Sequence, residues 1–387
     1  MTINTATKMN EKSGLVETYG QFPFGIERGQ GAYVWDTAGK KYLDFYGGHA
    51  VACLGHSPKA VADAIYAQAN KMMFYSNLAR IPIRSEAATA LLEFGGFNSH
   101  SVFFCNSGGE ANENALKIAI KTTGRHRIVG FEGGFHGRTL LAVGATDHPD
   151  WHEYLGPWIG PVAKIKPNDL DGLREIDAET ACVILEPIQS IGKVTEFKVD
   201  YLKALRARCD EVGAKLIFDE VQTGIGRTGV AFVSTGSGVV PDMTTLAKGL
   251  AGGFPIGAVI MTDELSAQLK VGDIAATFGG SPMAMAAMIA TLSEITKQSL
   301  VKNTKAIEEH VRATFKFKEL VEIRGKGCLL GLKLNREAKP IQQALFKEGI
   351  IVGLNSDPNQ VHLLPPLNIE KAQVDELREK LGKVLGS

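Results

Sequence analysis

The chain has 387 residues, 44% hydrophobic and 22% charged, an ordinary composition for a water-soluble globular protein and enough length for two or three domains. Lys plus Arg and Asp plus Glu both number 42, so the formal net charge is zero. That balance argues against nucleic acid or an anionic membrane as a partner, and leaves any ligand charge to a few local residues.

The five cysteines, Cys53, Cys105, Cys182, Cys209 and Cys328, are scattered and odd in number. Without a C-x-x-C pair they argue against a disulfide framework or a zinc site and fit a reducing compartment. Residues 1–13, MTINTATKMNEKS, are polar and lack the apolar stretch of a signal peptide. No apolar run approaches the ~18–20 residues that span a bilayer. The expected location is cytoplasmic, with no metal bound.

In chain order, the first expected elements are strands at 31–35 and 41–45 around a turn at 37–40. From residue 101 onward, short apolar or β-branched runs end in polar or glycine-rich residues and give way to helical patterns. The runs are 101–105, 127–131, 181–185, 215–218 and 243–247. Strands alternating with helices predict an α/β fold with a mainly parallel sheet covered on both faces, where ligands gather at the carboxyl ends of the strands. After residue 278 a long helix is expected at 281–296, then strands at 320–323, 328–334 and 361–364, and a closing amphipathic helix at 371–385. The expected division is an N-terminal segment, 1–48, packing with a small C-terminal α/β domain, 279–387, and a large domain, 49–278, between them.

Four segments carry candidate chemistry. Residues 103–117 read FFCNSGGEANENALK. A strand stops at Asn106, the small residues Ser107, Gly108 and Gly109 follow, and a helix begins with Glu110 in its first turns. Free N–H groups and the helix dipole make such a start a phosphate site, although an ordinary capped helix reads the same way. Residues 131–140, FEGGFHGRTL, turn on glycines around Phe135 and His136, with Arg138 next. The Phe135 ring suits stacking on a planar cofactor and Arg138 suits a bidentate grip on a carboxylate. A core phenylalanine and a surface arginine are the plain alternatives.

Residues 215–229, KLIFDEVQTGIGRTG, place Asp219 at the end of an apolar run, where a charge needs a partner. A buried carboxylate there keeps a pyridine nitrogen protonated, or else caps a turn. Positions 224–229 also spell G-x-G-x-x-G, but the residues after them are rich in Val, Gly and Ser and open no helix, so a dinucleotide site is rejected. Residues 241–257, PDMTTLAKGLAGGFPIG, carry Lys248 from an apolar strand into a glycine-rich stretch. Desolvation lowers a lysine's pKa, which a Schiff-base lysine needs, whereas most lysines are solvated surface groups. No segment is decisive alone. In this order, each after a strand, they describe a site for pyridoxal 5′-phosphate (PLP).

With NSGGEANENALK, FHGR, DEVQTGIGRTG, LAKG and TFGGSP in sequence, the chain from about Tyr19 to its C-terminus resembles the class III (ω-amino acid) aminotransferases of PLP fold type I, and within them the acetylornithine aminotransferases. The resemblance implies a large domain with a mainly parallel sheet, a smaller α/β C-terminal domain, and a homodimer with active sites at the subunit interface. It implies that Ser107, Gly108 and Gly109 bind the phosphate and that Phe135 and Val221 cover the two ring faces. Asp219 would pair with the ring nitrogen, Gln222 would bond the phenolic oxygen, and Thr277 would reach the phosphate of the neighbouring subunit's cofactor. Lys248 would carry PLP as a Schiff base and shuttle the proton. On the substrate side it points to Arg138, and Glu186 and His362 are taken as further substrate-binding candidates. The implied reaction is ping-pong transfer of the ω-amino group of N-acetylornithine or N-succinylornithine to 2-oxoglutarate in arginine biosynthesis. Other donors of the same class (4-aminobutyrate, ornithine, a carrier-linked amine) and an aminomutase of the same fold are the alternatives.

The chain departs from that pattern mildly at Gly109, often Ala or Thr, and Ser281, often Asn, and more deeply at one pair of positions. Many relatives follow E-P-I-Q with G-E-G-G, whose glutamate forms a movable salt bridge with an arginine just before L-L-P-P-L. Here 186–193 reads EPIQSIGK and His362 precedes LLPPL, so Ile191 and His362 stand in for both partners. Losing both together avoids an unpaired cation in the site. The expectation is that glutamate is handled by other groups, Arg138 or His362, or that the amino-group partner differs.

Overall fold

The computed structural model describes residues 14–386, so the polar stretch 1–13 lies outside the described residues. Its centre is a seven-stranded sheet. From edge to edge the strands are His100–Cys105, Gly257–Thr262, Met243–Leu246, Lys215–Asp219, Thr180–Leu185, Arg127–Phe131 and Val162–Ile165. Neighbours pair in parallel except at Gly257–Thr262, which runs antiparallel to both of its neighbours. The five runs expected from the sequence are all strands of this sheet. Sequence reading missed two. Val162–Ile165 is short and follows an irregular turn-rich segment, and Gly257–Thr262 follows a glycine-rich run that reads as loop.

Alternation along the central strands sorts the two faces of the sheet, because successive side chains point to opposite sides. Cys182, Ile184 and Ile217 join the core under helix Gly108–Thr123. Val183, Leu185, Leu216 and Phe218 join the opposite core, under helix Val199–Val212. Asp219 is two residues beyond Ile217, so parity turns its carboxylate toward helix Gly108–Thr123.

The expected long helix is Pro282–Lys297, capped at Ser281 with proline in its first turn, where the missing N–H costs nothing. It packs on helices Lys59–Lys71 and Pro82–Gly95. Beyond it an antiparallel sheet, ordered Leu320–Lys326, Leu329–Leu334, Gln360–Leu363 and Gly353–Leu354, packs with helices Leu300–Thr314, Ala338–Lys347 and Lys371–Leu385. Among the described residues the N-terminal strands number three, Ile26–Gln30, Tyr33–Asp36 and Lys41–Asp44, one more than the sequence suggested. Their sheet takes its fourth strand, Ile350–Ile351, from the C-terminal part of the chain.

Arg227 ties these parts together. Its buried guanidinium donates to the carbonyls of Ala50, Cys328 and Pro365, with no carboxylate paired to it among the described residues. All five cysteines are buried free thiols. Among the described residues, no helix is long and apolar enough to cross a membrane.

Candidate active site

The strand ends converge on a cavity of about 530 Å³, lined by residues from all four segments singled out in the sequence. Its lining includes Ser107, Gly108, Gly109, Phe135, Arg138, Glu186, Asp219, Val221, Gln222 and Lys248. Two expected residues are not among them. Thr277 is exposed and lines a separate cavity beside Asn77 and Arg84. His362 is buried outside the lining, with its Nε2 3.3 Å from the Oγ of Ser190.

Helix Gly108–Thr123 begins at the cavity. Ser107 is its N-cap, with Oγ accepting from the Glu110 N–H at 3.1 Å, and the Glu110 carboxylate in turn accepts from the Asn106 N–H. The N–H groups of Gly108 and Gly109 have no acceptor among the described residues. Close packing explains the glycines. A Cβ on Gly108 would lie 2.8 Å from Val221 Cγ1, and one on Gly137 would lie 2.8 Å from Gly109 Cα, with Gly137 at a φ of +130°.

Asp219 is buried and held from three sides. Its Oδ2 accepts from Asn112 Nδ2 at 2.7 Å and lies 2.8 Å from His136 Nδ1, while Oδ1 accepts from the Val221 N–H at 3.0 Å. Asn112 also donates to the His136 carbonyl and accepts from Thr245 Oγ1, so its side chain is fixed. Sequence reading missed Asn112, and treated His136 only as part of the turn. The available signal was a polar amide among the mostly apolar buried residues of helix Gly108–Thr123, a set it shares with Asn114.

Lys248 follows strand Met243–Leu246 and adopts a left-handed φ of +47°. Burial pulls its ammonium below the usual lysine range, against the opposing attraction of Glu186 and Asp219. Among the described residues its Nζ has no hydrogen-bond or ion-pair partner. Glu186 is buried, accepts from the N–H groups of Phe135 and Ser190, and is pushed up to about 8 by burial and by the charge of Asp219. Burial, with Lys248, His49 and Arg227 nearby, pushes His362 down to about 3, so its ring is neutral at ordinary pH.

These groups fit PLP. The cavity offers free helix N–H groups, a buried carboxylate that is already oriented, a desolvated lysine, and Gln222, whose buried Oε1 has no partner. An unpaired buried acceptor is costly unless a ligand completes it.

The family description Aminotransferase class-III matches residues 16–385. The chain is 40% identical to the acetylornithine aminotransferase of Caldanaerobacter subterraneus subsp. tengcongensis, over 97% of this chain and 98% of the relative. It is 38% identical to the acetylornithine aminotransferase of Bacillus subtilis, over 96% and 98% of the two chains. Its fold is similar to the ornithine aminotransferase of Toxoplasma gondii, with a TM-score of 0.89 and 28% identity over 96% of this chain and 92% of that one. It is similar, too, to a PLP-bound amine transaminase from an uncultivated Pseudomonas species, with a TM-score of 0.89 and 25% identity over 97% and 99%.

Proposed function

The chain belongs to the class-III aminotransferases, PLP-dependent enzymes of fold type I, and on that premise we propose that it transfers the ω-amino group of N-acetylornithine to 2-oxoglutarate. N-succinylornithine is the nearest other donor, and the reaction would serve arginine biosynthesis. The observation that carries the reading is Lys248 standing desolvated in one cavity with the anchored Asp219 and with Arg138, whose guanidinium has no ion pair among the described residues.

When bound, PLP supplies an electron-poor ring that takes up the negative charge developing at the substrate carbon. The chain's own residues do the rest. Gly108 and Gly109 hold the phosphate through their free N–H groups at the positive end of the helix dipole, and Ser107 adds its hydroxyl proton. Phe135 and Val221 enclose the ring. Asp219, fixed by Asn112 and His136, keeps the proton on the ring nitrogen, and Gln222 completes the bond to the phenolic oxygen. Lys248, its ammonium weakened by burial, holds the cofactor and then moves the proton as a free amine. Arg138 takes the substrate carboxylate bidentately.

Homodimerisation belongs to the same proposal. Thr277, exposed beside a band of apolar side chains that includes Phe74, Leu78 and Phe278, would then serve the phosphate bound by a second copy. By the same proposal the chain divides into an N-terminal segment, 1–48, that packs with the small domain, 279–387, and a large cofactor-binding domain, 49–278.

Among the described residues, the cavity lining offers the second carboxylate of glutamate no cation besides Arg138 and Lys248, since Glu186 is protonated near neutrality and His362, outside the lining, is neutral. That favours slow use of glutamate, and it keeps an acceptor-independent aminomutase as the second reading. To test both, PLP-loaded enzyme is mixed with N-acetylornithine, N-succinylornithine, ornithine, 4-aminobutyrate or glutamate without keto acid, and loss of the lysine-bound cofactor's visible absorbance is followed. Fast conversion by an acylornithine supports the assignment. Silence from every compound would overturn the substrate, and product formed at full turnover without any acceptor would replace transamination with isomerisation.

A further inference from the structure

Arg138 is exposed at the cavity, and its guanidinium makes no hydrogen bond or ion pair among the described residues. What holds it is an aromatic ring. Its Cζ lies 3.4 Å from the centroid of Trp151. His148 stacks on the same indole, with 3.6 Å between centroids and 3° between planes. Two groups this close to one centroid occupy opposite faces, so Trp151 is sandwiched between His148 and Arg138. Phe135 meets Trp151 edge to face at 6.0 Å and 89°. Trp151 is half-buried and does not itself line the cavity.

At 3.4 Å the planar guanidinium lies against the indole face. Stacking occupies the face of the group and leaves its in-plane N–H bonds for a carboxylate. An unstacked arginine would lose rotamer freedom on binding, whereas one already held by the ring has less to lose. We propose that Trp151, backed by His148, is a positioning and specificity residue, which fixes Arg138 so that the site selects ω-amines bearing a carboxylate over those lacking one. This rests on reading Arg138 as the carboxylate ligand.

The test uses PLP-loaded enzyme and the amino donor it turns over best among those named above, against the same molecule without its carboxylate (N-acetylputrescine for N-acetylornithine). The readout is the ratio of the two kcat/KM values, or of inhibition constants where turnover of the analogue is too slow. Trp151→Ala is expected to lower the ratio about tenfold, mainly through KM of the carboxylated donor. Trp151→Phe should stay within about twofold of the parent, because it keeps a ring face. On an Arg138→Gln background Trp151→Ala should change nothing further, since the two act as one unit. Equal loss on both substrates, with an altered cofactor spectrum, would mark Trp151 as merely structural and overturn the inference. A ratio lowered by Arg138→Gln but not by Trp151→Ala would overturn it alone, whereas a ratio untouched by Arg138→Gln would also remove the reading on which it rests.

Discussion

His136 Nδ1 lies 2.8 Å from Asp219 Oδ2, and both side chains are buried. The imidazole and the Asn112 amide share that single carboxylate oxygen, so the acid at the floor of the cavity is oriented before any ligand arrives. Orientation fixed in advance is what gives electrostatic stabilisation its effect.

The Asn112 link is the most economical to test. Asn112→Ala removes a donor from Asp219 and from the His136 carbonyl, and strands the Thr245 hydroxyl. In a buried network this should lower unfolding stability by about 2–4 kcal/mol and weaken PLP binding together with it. Urea unfolding with and without PLP measures both. Unchanged stability would show that Asp219 is held without Asn112.

Glu186 and His362 should tilt stability against pH in opposite senses. Glu186 keeps its proton to about 8 when folded and loses it near 4.5 when unfolded, so its contribution is complete below 4.5 and is lost as pH rises to about 8. His362 resists its proton down to about 3 when folded but takes it near 6.5 when unfolded, so its contribution is complete above 6.5 and is lost as pH falls. Between 4.5 and 6.5 the two slopes oppose each other, and from 6.5 to 8 only that of Glu186 remains. Glu186→Gln is expected to flatten the upper window and steepen the middle one, by at most about 1.4 kcal/mol per pH unit. Denaturant unfolding of the cofactor-free protein across these windows checks it. Parallel profiles for parent and variant would refute the assignment.

Gly108→Ala should damage the cavity through its neighbour. The new Cβ meets Val221 Cγ1 at 2.8 Å, and the Val221 N–H is tied to Asp219, so the side chain has little room to retreat. Overpacking of this kind costs about 1–3 kcal/mol, and PLP affinity should drop about tenfold or more. Adding Val221→Ala should relieve the clash and recover part of the lost affinity, short of the parent because Val221 also faces the ring. Failure of that rescue in a cofactor titration would show that the glycine serves some other need.

The strands that end at Asp219 and just before Lys248 were legible because fully buried strands read as short runs of apolar and β-branched residues, KLIFD and MTTL. Gly257–Thr262 was not, since it is antiparallel, lies behind glycines, and owes its place to pairing with His100–Cys105, far away in sequence. The three-stranded N-terminal sheet was half legible for a similar reason. Its outer strand, Ile26–Gln30, is mostly exposed and lacks an apolar pattern.

By itself the sequence determined the α/β alternation, the residues at the strand ends, and through its ordered motifs the PLP chemistry, because these depend on local periodicity and on residue type at fixed spacing. Only the tertiary structure decided that Asn112 and His136 meet on one oxygen of Asp219, that His362 lies outside the cavity lining beside Ser190, and that Trp151 holds Arg138. Those relationships join residues from different elements. Strand parity, helix packing and desolvation settle them in three dimensions, and short-range spacing carries no record of them.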